Sequence, residues 1–506
     1  MKNKFKSLLL FALLITFTYV FYLSSTNAHH YEWTAVKIYP SIALANGFDL
    51  YQTTSSPYLL TMYGPGSPIF YLFSSFGSTP ETCFFIASFL NIAVLLLLGW
   101  SLFGNNRSDR ISCISLCFGF TWLFVLFLDK TTHTLFRIHH DLPVFAYLFI
   151  GSFCLLRKSS SYQTLALWVG SLFLWLAFWT KIVALPWLFL PFVFKFIQQR
   201  NSIPKPTKSW SGILIAIVGT GCLSFFFFSS LFGATDLWFH LFESTNSYPW
   251  RESLTLFGST QEKFVPNEFS AKISVLLRIV LLYFIEYWWI TLSCMLIWLY
   301  QLKKRRGLIL LWLVACYFMV LPACLSSLAK FGGVENSLVF AHAPAYAALL
   351  LQVGKIIDKL VSSEVLKISI AFVIALLPAM GSIRIAKAIW KDTSQSPQQL
   401  AYEYLVENPE DPVYFALSPL PNYLANGKIW DSGEALTYST MMTPDALPSQ
   451  AGMEGPLEIP LVAFGSTPYS KSFFEKKFNL VPVVSPPKLK DWSLYRATPK
   501  SIHNNP

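Results

Sequence analysis

Charge is what this sequence has least of. Asp, Glu, Lys and Arg make up 13% of its 506 residues, about half the roughly 25% of an ordinary soluble domain, which excludes a chain that folds wholly in water. Segments of about ten residues with alternating polarity are missing as well, which excludes a membrane β-barrel and leaves helices as the spanning structure. The eight cysteines (Cys83, Cys113, Cys117, Cys154, Cys222, Cys294, Cys316 and Cys324) lie in or beside apolar runs with no metal-type clustering, and read as small core residues. The net charge of +11 does not point to nucleic acid, because the basic residues fall in short stretches between apolar runs, where a topology signal belongs.

What the chain has in abundance is apolar surface, 54% of residues, of which an unusual share is aromatic (17% of the chain). It is gathered into runs of about the twenty residues that a helix needs to cross a bilayer. Spans are expected at about 7–25, 82–103, 111–128, 142–156, 163–180, 182–197, 211–232, 273–300, 308–327, 339–353 and 365–384, eleven in all. Lysines precede the first run and Thr26-Asn27-Ala28 loosely resembles a cleavage site, but the run exceeds the roughly 7 to 15 residues of a signal core, so an uncleaved helix is expected. With the N-terminus cytoplasmic, Lys2/Lys4/Lys6, Arg107/Arg110, Arg157/Lys158, Lys195/Arg200/Lys205/Lys208, Lys303/Lys304/Arg305/Arg306 and Lys355/Lys359 all fall on the cytoplasmic side. Arg384, Lys387 and Lys391 are the exception. Most acids and histidines then fall on the opposite side.

Beyond about residue 389 the hydrophobic runs shorten and proline rises, giving two expected domains, 1–388 in the membrane and 389–506 as a small soluble α/β domain on the non-cytoplasmic side. Ser396-Pro397 reads as the N-cap and first position of a helix. Strands are expected at 413–416, 459–463, 480–484 and 492–495, with a helix at 472–478.

Four charged residues carry the candidate chemistry. Glu32 follows the first span and precedes an amphipathic stretch expected to lie along the interface; it either solvates a helix end or serves a site. Asp141, in Phe136-Arg-Ile-His-His-Asp-Leu-Pro143, either caps the helix that Pro143 helps to start or forms a site acid with Arg137, His139 and His140 crowding the same loop. Lys181 interrupts the apolar stretch FLWLAFWTKIVALPWLFLPF, where a lysine either snorkels to the interface or meets an anion. Lys330, in Ala329-Lys-Phe-Gly-Gly-Val-Glu-Asn336, precedes glycines that let backbone and cation approach a phosphate. Arg278 and Glu286 share a face of the eighth span and read as a structural pair.

In their order these residues resemble the GT-C superfamily of glycosyltransferases, in particular bacterial members of family-39 type similar to protein O-mannosyltransferases and aminoarabinose transferases. Glu32 and Gly47 have the family's spacing of acid and glycine. Asp49-Leu-Tyr51 and Tyr63-Gly-Pro65 look like its next elements. Arg137 with Asp141, Thr180-Lys181, and Lys330 to Asn336 followed by Pro344 extend the match over roughly residues 1–390. The resemblance implies a GT-C fold in a bacterial inner membrane and transfer of a sugar, with inversion, from a polyprenyl-phosphate donor to a glycan, lipid or protein acceptor. Glu32 and Asp141 are then the catalytic acids, or jointly hold a divalent metal such as Mg or Mn. Lys181 and Lys330 meet the departing phosphate, and Arg137, His140, Asp49, Tyr63 and Asn336 line the lipid-phosphate or sugar site. The chain departs from the pattern at Trp33, where many relatives have a second acid, so base catalysis by one carboxylate stands beside the metal. A transporter or flippase of lipid-linked sugars is the competing expectation, although the internal repeats common in transporters are not evident.

Overall fold

The computed structural model describes residues 2–29, 33–52, 58, 60–103, 113–156, 163–200, 210–243, 248–252, 256, 263–266, 268–304, 308–330, 335–389, 395–433, 435–437, 451–465 and 468–500. In chain order the helices of the membrane part are α1 (Lys2–His29), α2 (Trp33–Ala45), α3 (Pro80–Phe103), α4 (Cys113–Leu128), α5 (Asp141–Leu156), α6 (Gln163–Thr180), α7 (Leu190–Arg200), α8 (Trp210–Phe232), α9 (Phe269–Lys304), α10 (Leu308–Leu328), α11 (Val339–Leu360) and α12 (Glu364–Ile389). Six of them, α3 and α8 to α12, are long and apolar enough to cross a membrane, and shorter apolar helices at 10–26, 114–128, 141–156, 164–180 and 182–197 bring the described total to eleven. The chain is an α-helical polytopic membrane protein.

Local chemistry accounts for the irregularities. The segment expected as a sixth span opens as a 3₁₀ helix over Ile182–Phe189 before α7 begins. The ring of Pro186 crowds the carbonyl of the residue four before it in an α-helix, which disfavours that form here, and Ala184 N donates to Lys181 O at 3.0 Å in the tighter turn. α5 and α6 meet through glycines. A Cβ on Gly151 would lie 2.8 Å from Gly170 O, and one on Gly170 would lie 2.9 Å from Gly151 O, the close backbone approach that small residues give helices in lipid. Trp122 and Trp187 are fully buried, and their indole N–H groups donate across the bundle to Ala343 O (3.1 Å) and Cys316 O (3.2 Å). A buried indole finds a partner in this way.

α2 does not lie along an interface with one face open. All of its residues from Thr34 to Ala43 are buried, because residues 66–103 pack on it and the C-terminal region adds a further cover through Leu420, Ile429 and Trp430. That region has α13 (Pro397–Glu407), capped as expected by Ser396 Oγ accepting from Gln399 N at 3.1 Å, and α14 (Pro468–Glu475). Its sheet has the order β3 (Tyr414–Phe415), β4 (Leu461–Phe464), β6 (Ser493–Pro499), β5 (Phe478–Val483), counting from the hairpin strands β1 (Arg251–Glu252) and β2 (Lys263–Phe264). β3 runs parallel to β4, while β6 is antiparallel to β4 and β5.

The docking of this region on α2 is made largely by main chain. Tyr39 Oη accepts from Trp430 N and donates to Trp430 O, both at 2.8 Å. Asp431 accepts from Tyr58 N at 2.6 Å and from Gly452 N at 2.7 Å. Burial raises the Asp431 carboxyl to about 6 against those two donors, with Glu454 reinforcing and Lys477 opposing the rise. The folded value stands above the roughly 3.9 of an unfolded aspartate, so docking is most favourable below that value and weakens as pH rises through about 6. Limited proteolysis should therefore release the C-terminal region more slowly at about pH 5 than at about pH 7, and the difference should vanish in Asp431→Asn.

Candidate functional site

The site is assembled around a turn that needs its glycines. Tyr63-Gly64-Pro65-Gly66 packs on the C-terminal end of α6. A Cβ on Gly64 would stand 1.7 Å from Trp179 O, and one on Gly66 would stand 2.1 Å from Thr180 Oγ1 and 2.8 Å from Leu176 O. Tyr147 Oη donates to Gly66 O at 3.0 Å from α5. The short helix Gly66–Phe70 that follows puts Ser67 Oγ 2.6 Å from His140 Nδ1. The Tyr63 ring lies against the His140 ring, with centroids 3.8 Å apart and the planes tilted by 32°. Lys181, the next residue after α6, brings its ammonium to 5.7 Å from the centre of the Tyr63 ring and 5.6 Å from that of Phe340.

Asp141 is fully buried at the start of α5, and its carboxylate is engaged by other elements. Lys181 Nζ donates to Oδ1 at 2.5 Å. Thr134 Oγ1 donates to Oδ2 at 2.7 Å and Asn336 Nδ2 at 3.0 Å. His139 Nδ1 lies 2.8 Å from the same oxygen. Of the two readings of Asp141, a helix cap or a member of a polar cluster, the side chain takes the second.

Of the expected site residues, Asp141, Lys181, Asn336, His140 and Tyr63 come together. Arg137 ends the adjoining turn; its carbonyl accepts from Asn91 Nδ2 at 3.0 Å, and its charge, after burial, helps hold His133 down at about 4. Asp49 shapes the first loop by accepting from Tyr51 N at 2.9 Å, and Tyr51 Oη in turn donates to Tyr63 O at 2.6 Å. Burial, with Asp236 nearby, raises the Asp49 carboxyl. Lys330 pairs its backbone with Trp250 in an antiparallel bridge, and its ammonium, pushed down by burial, has Lys272 as a charged neighbour. Glu32 lies outside the described residues.

Two participants, Thr134 and Lys37, were not singled out from the sequence, and a third, His139, was named only with His140 as company for Asp141. His139 rather than His140 reaches Asp141, and adjacent identical residues offer no signal to choose between them. Thr134 looks like any loop threonine. Lys37 is buried in α2, with its ammonium 4.7 Å from the Tyr63 ring centre and 5.2 Å from that of Trp33; an internal lysine in a stretch read as amphipathic passes for its polar face. Lys37 and Lys181 thus flank one aromatic ring. Burial lowers both His139 and His140; Asp141 opposes the fall, most of all at His139, and Lys37 and Lys181 add to it at both rings.

Asp141 as placed does not fit the role of metal ligand. Both oxygens already accept hydrogen bonds, and a cation would meet two ammonium groups nearby. Among the described residues no group of three or more His, Cys, Asp or Glu is arranged to hold a metal.

The turn generates a direct prediction. Gly64→Ala places a methyl group against backbone, which cannot yield as a side-chain tip can, so Tyr63 should leave Lys181. A fall in the stability of detergent-solubilised protein larger than that of Gly47→Ala, where a Cβ meets nothing within 4 Å although φ is +78°, would show this in thermal unfolding.

Neither family models nor curated proteins match the chain. Among solved structures it is similar to the archaeal oligosaccharyltransferase AglB from Archaeoglobus fulgidus, determined in complex with an inhibitory peptide and a dolichol-phosphate. The identity is 11%, the TM-score 0.40, and the likeness covers 97% of this chain and 74% of that one.

Proposed function

We propose that the chain is a membrane glycosyltransferase of GT-C type that moves a sugar from a polyprenyl-phosphate donor to an acceptor hydroxyl. The observation that carries this reading is the ion pair of the fully buried Asp141 with the partly exposed Lys181, with Lys37 and Tyr63 beside it at the mouth of a helical bundle. Ionisable groups placed there are costly and are kept where they meet polar substrate.

In this reading the acceptor oxygen attacks the anomeric carbon, its bond to the phosphate oxygen breaks with inversion, and the electron pair leaves on the lipid phosphate. Lys181 and Lys37 stabilise that growing charge. Asp141 holds Lys181, and with it Asn336, in place. Glu32, which adjoins Trp33 in the chain, takes the acceptor proton. Arg137, His140, Tyr63 and Asn336 border the sugar and phosphate, Asp49 supports the loop that carries Tyr63, and Lys330 belongs to the rim. No step is routed through a metal. Residues 1–388 form the catalytic membrane domain, and 389–506 form a domain that closes over α2. Lys303, Lys304 and Lys359 are exposed at helix ends opposite Asp141, which supports a cytoplasmic N-terminus and a site on the periplasmic side of a bacterial inner membrane.

Reconstituted with polyprenyl-phosphate sugar, Asp141→Asn and Glu32→Gln should each lower transfer by about 100-fold or more. Full transfer by both folded variants would overturn the reading. Lys181→Ala should weaken donor turnover by a similar factor, read as release of free polyprenyl phosphate, which a flippase would not produce.

A further inference from the structure

A second polar cluster lies at the other end of the loop that carries Asp141. His342, on α11, is fully buried. Its Nδ1 is 2.9 Å from Thr131 Oγ1 and 3.6 Å from Asp129 Oδ2. Its Nε2 is 3.2 Å from Tyr283 Oη. From there the chain of hydroxyls continues to Tyr317 Oη at 2.9 Å and on to Thr291 Oγ1 at 2.6 Å. Tyr346 Oη donates to Asp129 Oδ2, and Tyr287, at the non-helical point inside α9, places its ring 4.7 Å from the imidazole.

Thr131 belongs to a stiff stretch. Thr132 N and His133 N donate to Asp129 O at 3.1 and 2.9 Å, Leu135 N to Thr132 O at 3.1 Å, and Arg137 N to Thr134 O at 3.2 Å. Thr132 Oγ1 donates back to Leu126 O at 2.7 Å, and Asp129 Oδ1 accepts from Thr131 N at 2.7 Å. Three residues beyond Thr131 on this rigid turn, Thr134 donates to Asp141 Oδ2. The turn that leads into α11 and the first part of α11 therefore grip the loop through two residues six apart, Asn336 on Asp141 and His342 on Thr131.

We propose that His342 is a positioning residue for the Asp141–Lys181 pair, setting the height of the turn through its Nδ1 contact with Thr131 so that Thr134 and Asn336 meet one carboxylate oxygen together. Its bearing on catalysis rests on the transferase reading above; its bearing on the geometry of the pair does not.

The two ring nitrogens allow a discriminating experiment. An asparagine amide reaches about where Nδ1 stands and a glutamine amide about where Nε2 stands, so His342→Asn keeps the Thr131 contact and His342→Gln keeps the Tyr283 contact. The first readout is the rate at which an amine-reactive reagent labels Lys181 in membranes, followed by mass spectrometry, with Asp141→Asn marking the rate of a broken pair. His342→Gln should move several-fold toward that mark and His342→Asn should stay near the wild-type rate. Equal labelling in both variants, whether at the wild-type rate or the raised one, overturns the proposal, since packing alone would not separate them. The second readout is transfer, where His342→Gln should lower kcat by about 10- to 100-fold with the donor KM unchanged. If Asp141→Asn itself transferred normally while labelling behaved as expected, the transferase reading would fall and the positioning role would stand. Should the His342 variants fail to fold, Thr131→Val is expected to label like the broken pair and Thr131→Ser like wild type; matching rates for these two would overturn the proposal equally.

Discussion

The structure depends on a bond between two charges placed where charge is least welcome. Removing an ammonium and a carboxylate from water costs several kcal/mol apiece, and their mutual attraction offsets that only when the remaining lone pairs are also satisfied. Lys181 and Asp141 meet this condition because Thr134 and His139, in the loop before α5, and Asn336, in the turn that leads into α11, stand at the other carboxylate oxygen. The helices around the pair are thus ordered by more than hydrophobic packing, which discriminates weakly between apolar partners in a bilayer. The pair defines which helix ends belong together.

Much of the scaffold could be read from the chain. The apolar runs mark the spans because a bilayer demands twenty residues without charge, and Ser396-Pro397 marks its helix because the cap chemistry is local. The site was legible where a residue broke a pattern. Lys181 stands in a stretch otherwise free of charge, and the Tyr-Gly-Pro-Gly turn announces a backbone that needs room. It was illegible where the deciding contact joins distant segments. Nothing near Thr134 says that Asp141 will turn toward it, and nothing near Lys37 says that residues some four hundred positions later will complete the cover of its helix. The expectation for α2 went astray for that reason: amphipathic periodicity reports one covered face, and the second cover, around Trp430, comes from another part of the chain.

The C-terminal region uses main-chain donors to hold on. Tyr58 N, Gly452 N and Trp430 N supply three of its bonds to the membrane part or to the aspartate that bridges them. Such docking is specified by the path of the backbone, so side chains on the exposed side of the small sheet are released from any duty in attachment. They are available to meet whatever stands above the membrane.

The turn at Gly64 has a mechanical consequence. With main chain of the first loop resting on main chain at the end of α6, Tyr63 and Lys181 travel as one body, and no hinge can open between them. The spacing of the Tyr63 ring from the Lys181 ammonium is therefore set by backbone contact and not by the rotamers of the side chains around them.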